Sequence, residues 1–231
     1  INLSLFHSAF KRRIKMEPLA KIFKEKDFWK HSFVVNENVL DPRPESELII
    51  ETVAKYFQNK KQKLNIIDLG TGSGCIAISL AKEYINSIIT ANDISENALN
   101  VAKRNAKKFN IGNQIKFICC DWIDIDKVYD VIVSNPPYLT ISEYKNISKE
   151  IINYEPEIAL IGGKDGLSCY RKLANKFPKI THSNSLCFIE IGHSQKTESI
   201  KIFEEFGMDC IDIIVDYQNY ERILIFKRNI K

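Results

Sequence analysis

The sequence predicts an α/β fold, a doubly wound and mostly parallel sheet of seven strands with an antiparallel C-terminal strand pair. Three observations predict it. Short apolar runs alternate with helix-period stretches from residue 64 to residue 191, the pattern of parallel strands joined by crossover helices. A glycine-rich turn, Gly70-Thr71-Gly72-Ser73-Gly74, stands where the first run gives way to a helix. The last two apolar runs, 209–215 and 222–227, lie close enough in sequence to pair antiparallel.

The elements follow in order. Leu3, Phe6, Phe10 and Ile14 form a helical stripe whose apolar face needs a partner that this chain hardly supplies, as at the end of a truncated helical domain. Residues 28–35, aromatic and partly alternating, read as a short strand or hairpin. Asp41-Pro42-Arg43-Pro44-Glu45 reads as a stiff, extended, charged linker, and Ser46 as the cap of a helix over 47–57. Strands are expected at 64–69, 88–93, 115–120 and 129–133, with Ser95 capping the helix after the second. A less regular insert, 139–166, precedes a helix over 168–177, a strand over 186–191 and a last helix over 197–206. The expected organisation is a helical N-terminal piece, 1–27, a hairpin and linker helix, 28–63, and a sheet domain, 64–231.

The chain carries 33 Lys and Arg, 29 Asp and Glu, and a formal charge of +4. Residues 1–31 hold eight of the bases and only three acids, so the excess is concentrated in an N-terminal arm. Such an arm suits a nucleic acid or an acidic partner, and equally a solvated helix face. Freedom from acids over 1–16 is also a trait of transit peptides, although this arm runs straight into folded-type sequence. No apolar run approaches the roughly 18 residues of a membrane span. The six cysteines include no C-x-x-C pair and mostly sit in apolar runs, and the four histidines show no ligand spacing; a reducing compartment and no metal are expected.

In doubly wound sheets, ligands bind beyond the carboxyl ends of the strands where strand order reverses. Four strand ends here carry unusual residues: Gly70 to Gly74, Asp93, Asp121-Trp122, and Asn135-Pro136-Pro137-Tyr138. The glycines admit a ligand to the backbone, although such a loop is also an ordinary tight strand-to-helix turn. Asp93, 23 residues beyond Gly70, is near the roughly 20-residue offset of a carboxylate that accepts from ribose hydroxyls. Trp122 offers a face for adenine and Asp121 an acceptor for its exocyclic amine. These features specify an adenosine-containing cofactor without separating a dinucleotide from S-adenosyl-L-methionine, although the G-x-G-x-G spacing leans away from a pyrophosphate.

The fourth strand end is a poor continuation of a sheet, because Pro lacks an N–H and fixes its φ. It makes a rigid cup instead. A planar NH2 group can donate to the Asn135 side-chain oxygen and a proline carbonyl while Tyr138 stacks on its face and Pro137 holds the loop, although such a stretch is equally an ordinary turn rich in Pro and Asn.

Asp68-Leu69-Gly70-Thr71-Gly72-Ser73-Gly74 followed by Asn135-Pro136-Pro137-Tyr138 resembles the class I, Rossmann-like methyltransferases that modify planar NH2 nitrogens. Two such families share that pair: DNA adenine or cytosine amino-methyltransferases, and glutamine methyltransferases acting on peptide chain release factors. Further segments resemble the second: Arg12-Arg13 with Glu17-Pro18-Leu19, Pro42-Arg43-Pro44-Glu45-Ser46-Glu47, Asp121-Trp122 before the fourth strand, Glu155-Pro156 with Ala159-Leu160, Gly162-Gly163-Lys164-Asp165-Gly166-Leu167, and Glu190-Ile191-Gly192. The resemblance spans residues 12 to about 225. Departures are Lys24 in place of Gly, Asp41 in place of an apolar residue, Ser46 in place of Thr, and a nearly absent helical N-terminal domain, which in the family helps hold the release factor.

The resemblance implies transfer of a methyl group from S-adenosyl-L-methionine, leaving S-adenosyl-L-homocysteine, to the glutamine amide of a Gly-Gly-Gln motif. It implies a cofactor site of Asp68, Leu69, Gly70, Thr71, Gly72, Asp93, Asp121, Trp122 and Asn135. Catalysis then rests on Asn135, Pro136 and Tyr138, and substrate binding on these with Pro137. The expected protein is a cytoplasmic monomer that engages release factors, without stable nucleic acid, membrane or metal. A DNA amino-methyltransferase, and a non-catalytic module that binds adenosine ligands, are the alternatives.

Overall fold

The structure, a computed structural model, describes residues 3–229. Residues 1, 2, 230 and 231, at the ends of the first and last expected domains, lie outside the described residues. The predicted stripe forms helix α1 (Leu3–Ile14), and even Phe10, the least exposed of its four apolar positions, is 55% exposed. Helix α2 (Leu19–Phe23) ends on Lys24, whose φ of 57° is left-handed. This conformation suits the glycine expected at that position, because a Cβ is strained there. Lys24→Gly should therefore stabilise the chain by about 0.5–1 kcal/mol, read as a higher denaturant midpoint at unchanged slope.

Strands β1 (Glu25–Phe28) and β2 (His31–Val34) pair as an antiparallel hairpin that begins at Glu25, ahead of the expected 28. The linker is extended only as far as Arg43. Pro44–Ser46 then forms a 3-10 turn that leads directly into helix α3 (Glu47–Tyr56). This corrects the expected cap. Ser46 already has helical φ and ψ and makes no capping bond, so its hydroxyl is available elsewhere.

The rest follows the predicted alternation. In order come β3 (Asn65–Leu69), α4 (Cys75–Glu83), β4 (Ile88–Asp93), α5 (Glu96–Lys108), β5 (Ile115–Cys119) and β6 (Tyr129–Ser134). Ser95 caps α5 as expected, accepting from the Ala98 N–H. The insert is less irregular than its sequence suggests, because Thr140 and Ser148 cap two short helices, α6 (Ile141–Asn146) and α7 (Lys149–Tyr154). The chain closes with α8 (Ser168–Ile180), β7 (Thr181–Glu190), α9 (Lys196–Glu204), β8 (Met208–Val215) and β9 (Glu221–Arg228). Helix α8 continues through Pro178, and β7 begins five residues before its expected start at 186.

The seven strands run in the order β5-β4-β3-β6-β7-β9-β8, parallel except that β9 is antiparallel to both its neighbours. Strand alternation sends adjacent residues to opposite faces. Ile66, Val131, Val133, Phe188 and Ile225 pack with α3, α4 and the hairpin, whereas Ile67, Ile132, Cys187, Ile189 and Phe226 pack with α8 and α9. Among the described residues no helix is long and apolar enough to cross a membrane, and no group of three or more His, Cys, Asp or Glu is placed to hold a metal ion.

Candidate active site

The chain leaves β3 for β4 and β5 on one flank and returns to β6 on the other, so strand order reverses between β3 and β6. A crevice opens beyond their carboxyl ends. Ser134 at the end of β6 donates to the Leu69 carbonyl at 2.7 Å and locks the two strand ends together.

The four strand ends singled out in the sequence meet in one cavity of about 300 Å³. Gly70, Thr71 and Gly72 form its floor, Asp93 one side, Asp121 and Trp122 another, and Asn135 with Pro137 the far wall. The glycine turn holds Gly70, Gly72 and Gly74 at φ of 80°, 54° and 80°, a path that L side chains resist. Gly74 also lets α5 approach closely, because a Cβ there would lie 3.0 Å from that of Ala102. Asp68 and Leu69 do not line the cavity. Both are buried beneath it, where Asp68 Oδ2 accepts from Thr71 Oγ1 at 2.6 Å and from the Ala77 N–H at 3.1 Å, fastening the turn to the start of α4. Asp93 accepts from the N–H groups of Gly72 and Ser95, both at 2.9 Å, which fixes the carboxylate at the cavity wall. Lys172 donates to Asp121 at 3.3 Å.

A second cavity, of about 280 Å³, adjoins the first. Tyr138, Glu190, Arg43, Arg222, Ile151 and Leu160 are among its walls. Asn135 lines both cavities, together with Leu40, Arg43 and Ala159. Its Nδ2 donates to Ser46 Oγ at 2.8 Å, which directs Oδ1 the other way. Residues 135–138 belong to no helix or strand, as their prolines require. Pro136, expected to act in catalysis, is buried and lines neither cavity, because the chain turns inward between Asn135 and Pro137.

The insert braces this stretch from behind. Leu139 bridges Ile161, and a Cβ on Gly162 would lie 2.7 Å from the Pro137 carbonyl oxygen and 2.9 Å from the Tyr138 Cα. Only glycine fits so close. Gln195 donates to the Tyr138 carbonyl at 2.8 Å and accepts from Tyr170 and from the Gly192 N–H, both at 3.1 Å. A buried ion cluster holds the outer wall. Lys21 lies 2.8 Å from Asp41 and 3.0 Å from Glu155, and Arg43 donates to Glu155 at 3.1 Å.

Sequence reasoning missed Ser46, Lys21, Glu190, Arg222 and Gln195 as parts of this site. The signal available for Glu190 was a lone acid at the end of the apolar run 186–189, and for Ser46 the turn forced by Pro44.

Burial pushes the Asp68 carboxyl up to about 7 against the pull of its bonds from Thr71 and Ala77. Burial likewise takes Glu190 to about 7, opposed by Ser46 and Arg222. Asp93 and Glu155 are raised for the same first reason. Each of these carboxyls holds its proton more tightly folded than unfolded. The folded state therefore binds more protons, and stability falls as pH rises through these groups. Between about pH 5 and 8 the ligand-free chain should lose on the order of 3 kcal/mol for each of Asp68 and Glu190, visible as a falling unfolding midpoint. Tyr138, raised to about 12 by burial, remains a neutral phenol throughout.

Residues 25–177 match the methyltransferase small domain family. A bifunctional methyltransferase of Rickettsia bellii is 37% identical, over 97% of this chain and 45% of its own length. The chain thus spans about half the length of the bifunctional relatives it matches. The release factor glutamine methyltransferase of Buchnera aphidicola is 33% identical, over 97% of this chain and 80% of its own length. A crystal structure of the release factor-specific protein-(glutamine-N5) methyltransferase from Alicyclobacillus acidocaldarius superposes with a TM-score of 0.50 at 25% identity, covering 82% of this chain and 94% of that one. The cup of Asn135 to Tyr138 above a glycine-lined cavity thus stands in a chain that belongs to the methyltransferase small domain family and, within it, to the release factor glutamine methyltransferases.

Proposed function

We propose that the chain transfers a methyl group from S-adenosyl-L-methionine to the side-chain amide nitrogen of the glutamine in a release factor Gly-Gly-Gln loop. The observation that carries this reading is the position of Asn135 on the wall shared by the two cavities. The first cavity suits the donor. Its carboxylate, Asp93, matches ribose hydroxyls, Trp122 supplies an aromatic wall for adenine, and a Cβ on Gly70 would press to 3.4 Å from that indole. Gly70, Thr71 and Gly72, Asp93, Asp121, Trp122 and Asn135 would hold it, with Asp68 and Leu69 shaping the floor beneath. When bound, it supplies a sulfonium-activated methyl group.

The chain's own residues supply position and field. A carboxamide nitrogen is a weak nucleophile because its lone pair is delocalised into the carbonyl. Asn135 Oδ1 and the Pro136 carbonyl accept its two hydrogens, which orients the nitrogen toward the first cavity and favours pyramidal geometry at the transition state. Pro137 keeps the cup from relaxing, and the neutral ring of Tyr138 packs on the amide plane. No general base is required, since an N-alkylated amide cation is strongly acidic.

Helices α1 and α2 fit a helical unit that helps hold the release factor, a reading supported by the exposed apolar face of α1. The setting we propose is a monomeric enzyme of the cytoplasm, acting at translation termination. Labelled-methyl transfer to a purified release factor, run beside duplex DNA, tests the substrate. Label on the release factor alone is expected, and label on DNA alone would establish the amino-methyltransferase alternative.

A further inference from the structure

Glu190 ends β7 as a buried carboxyl directly after the apolar run 186–189, 2% exposed. Its Oε2 accepts from Ser46 Oγ at 2.6 Å, and Ser46 Oγ in turn accepts from Asn135 Nδ2 at 2.8 Å. The reaction proposed above uses neither residue. We infer that Ser46 and Glu190 are positioning residues that set which end of the Asn135 amide faces the substrate. The inference rests on the glutamine-amide reading.

The argument is one of hydrogen-bond polarity. An ionised carboxylate only accepts, so Ser46 must spend its single hydrogen on Glu190. Its lone pairs then accept from Asn135, whose NH2 is pinned to Ser46 and whose Oδ1 is left for the incoming amide. Protonation reverses the chain. The carboxylic acid can donate to Ser46, Ser46 can donate to Asn135 Oδ1, and the turned amide presents its NH2 to a substrate NH2. Two donors then oppose each other, and the cup rejects the group it is built to hold.

Burial raises the Glu190 carboxyl, and the cations near it oppose that rise without cancelling it. Arg222 of β9, held by Asp216 at 2.9 Å, and Arg43 of the linker stabilise its charge, while Glu45 of the 3-10 turn opposes it. Tyr138 faces it as a neutral phenol, and the Tyr170 hydroxyl of α8, which donates to Gln195, lies 3.4 Å from the Glu190 main-chain carbonyl.

The test compares the chain with Ser46→Ala, Ser46→Thr and Glu190→Gln, measuring kcat at saturating release factor and S-adenosyl-L-methionine between about pH 6 and 9. The unaltered chain should lose kcat as pH falls through about 7. Ser46→Ala should lower kcat at least about tenfold with little change in cofactor affinity, and Ser46→Thr, which keeps the hydroxyl, should recover it to within about threefold. Glu190→Gln, whose amide can donate or accept, should lower the plateau several-fold and abolish the acid limb. An acid limb that persists in Glu190→Gln, or a kcat for Ser46→Ala within about twofold of the parent, would overturn the inference.

A substrate-free readout separates this inference from the reaction assigned to the site. In the ¹⁵N-labelled chain, the Asn135 side-chain NH2 resonance, assigned by its loss in Asn135→Asp, should titrate near pH 7 and cease to do so in Glu190→Gln. A signal that ignores pH in both proteins contradicts the relay whatever the substrate. An unaltered chain that does not methylate release factor contradicts the glutamine reading, and the resonance still decides the relay.

Discussion

Asn135→Ala should reduce methyl transfer on the order of a thousandfold while leaving affinity for S-adenosyl-L-methionine within about tenfold, or about 1.4 kcal/mol. The asymmetry follows from where the side chain stands. Asn135 forms one patch of the first cavity, whose floor and sides come from three other strand ends, so the donor keeps most of its contacts. In the proposed reaction it is the principal side-chain acceptor of the substrate amide, and its loss would leave the Pro136 carbonyl alone to orient the nitrogen. Single-turnover rates and a cofactor titration on the same protein separate the two effects. Near-full turnover in the variant would dispose of the cup model.

Lys21→Ala should destabilise the chain by about 3–5 kcal/mol, which for 231 residues lowers the unfolding midpoint by about 6–10 °C. Its ammonium, 4% exposed, lies between the Asp41 and Glu155 carboxylates, themselves 6% and 2% exposed, and also donates to the carbonyls of Asn36 and Val39. Truncation leaves two like charges facing each other away from water with only Arg43 to balance them. The remedy is as informative as the damage. Asp41 occupies a position where an apolar residue was expected, so Lys21→Met with Asp41→Leu should recover much of the loss by replacing the inner ion pair with packed hydrocarbon. Calorimetry on the single and double variants decides this, and additive losses would refute the pairing. Because Asp41, Arg43 and Pro156 wall the first cavity, Lys21→Ala should also weaken donor binding.

The sheet and the four strand ends that meet at the cavity were legible because their signals are local. A strand followed by Gly-x-Gly-x-Gly, an acid after the next strand, an indole after the third and an Asn-Pro-Pro-Tyr stop after the fourth each announce themselves within a few residues. What the sequence concealed is built from distant pairs. Ser46 meets Glu190 across 144 residues and Asn135 across 89, and Lys21 meets Glu155 only because the insert folds back over the linker. Ser46 misled for a local reason as well, since a serine directly ahead of Glu47 resembles a cap until Pro44 starts a helical turn two residues before it. Asp68 stood inside the motif implied to bind cofactor, yet its burial makes it the anchor of the loop. Gln195 had no signal in its own segment, because its partners are the backbone of Tyr138 and Gly192 and the hydroxyl of Tyr170.

Central to the account is that the amide cup at Asn135 receives a glutamine side chain from a release factor. Peptide-mapping mass spectrometry of a purified release factor, incubated with this chain and S-adenosyl-L-methionine, tests it most directly. The account predicts the mass of one added methyl group on the Gly-Gly-Gln peptide, located on the glutamine side-chain nitrogen and lost with Asn135→Ala. An unmodified Gly-Gly-Gln peptide, or a methyl group placed on any other residue, would contradict it.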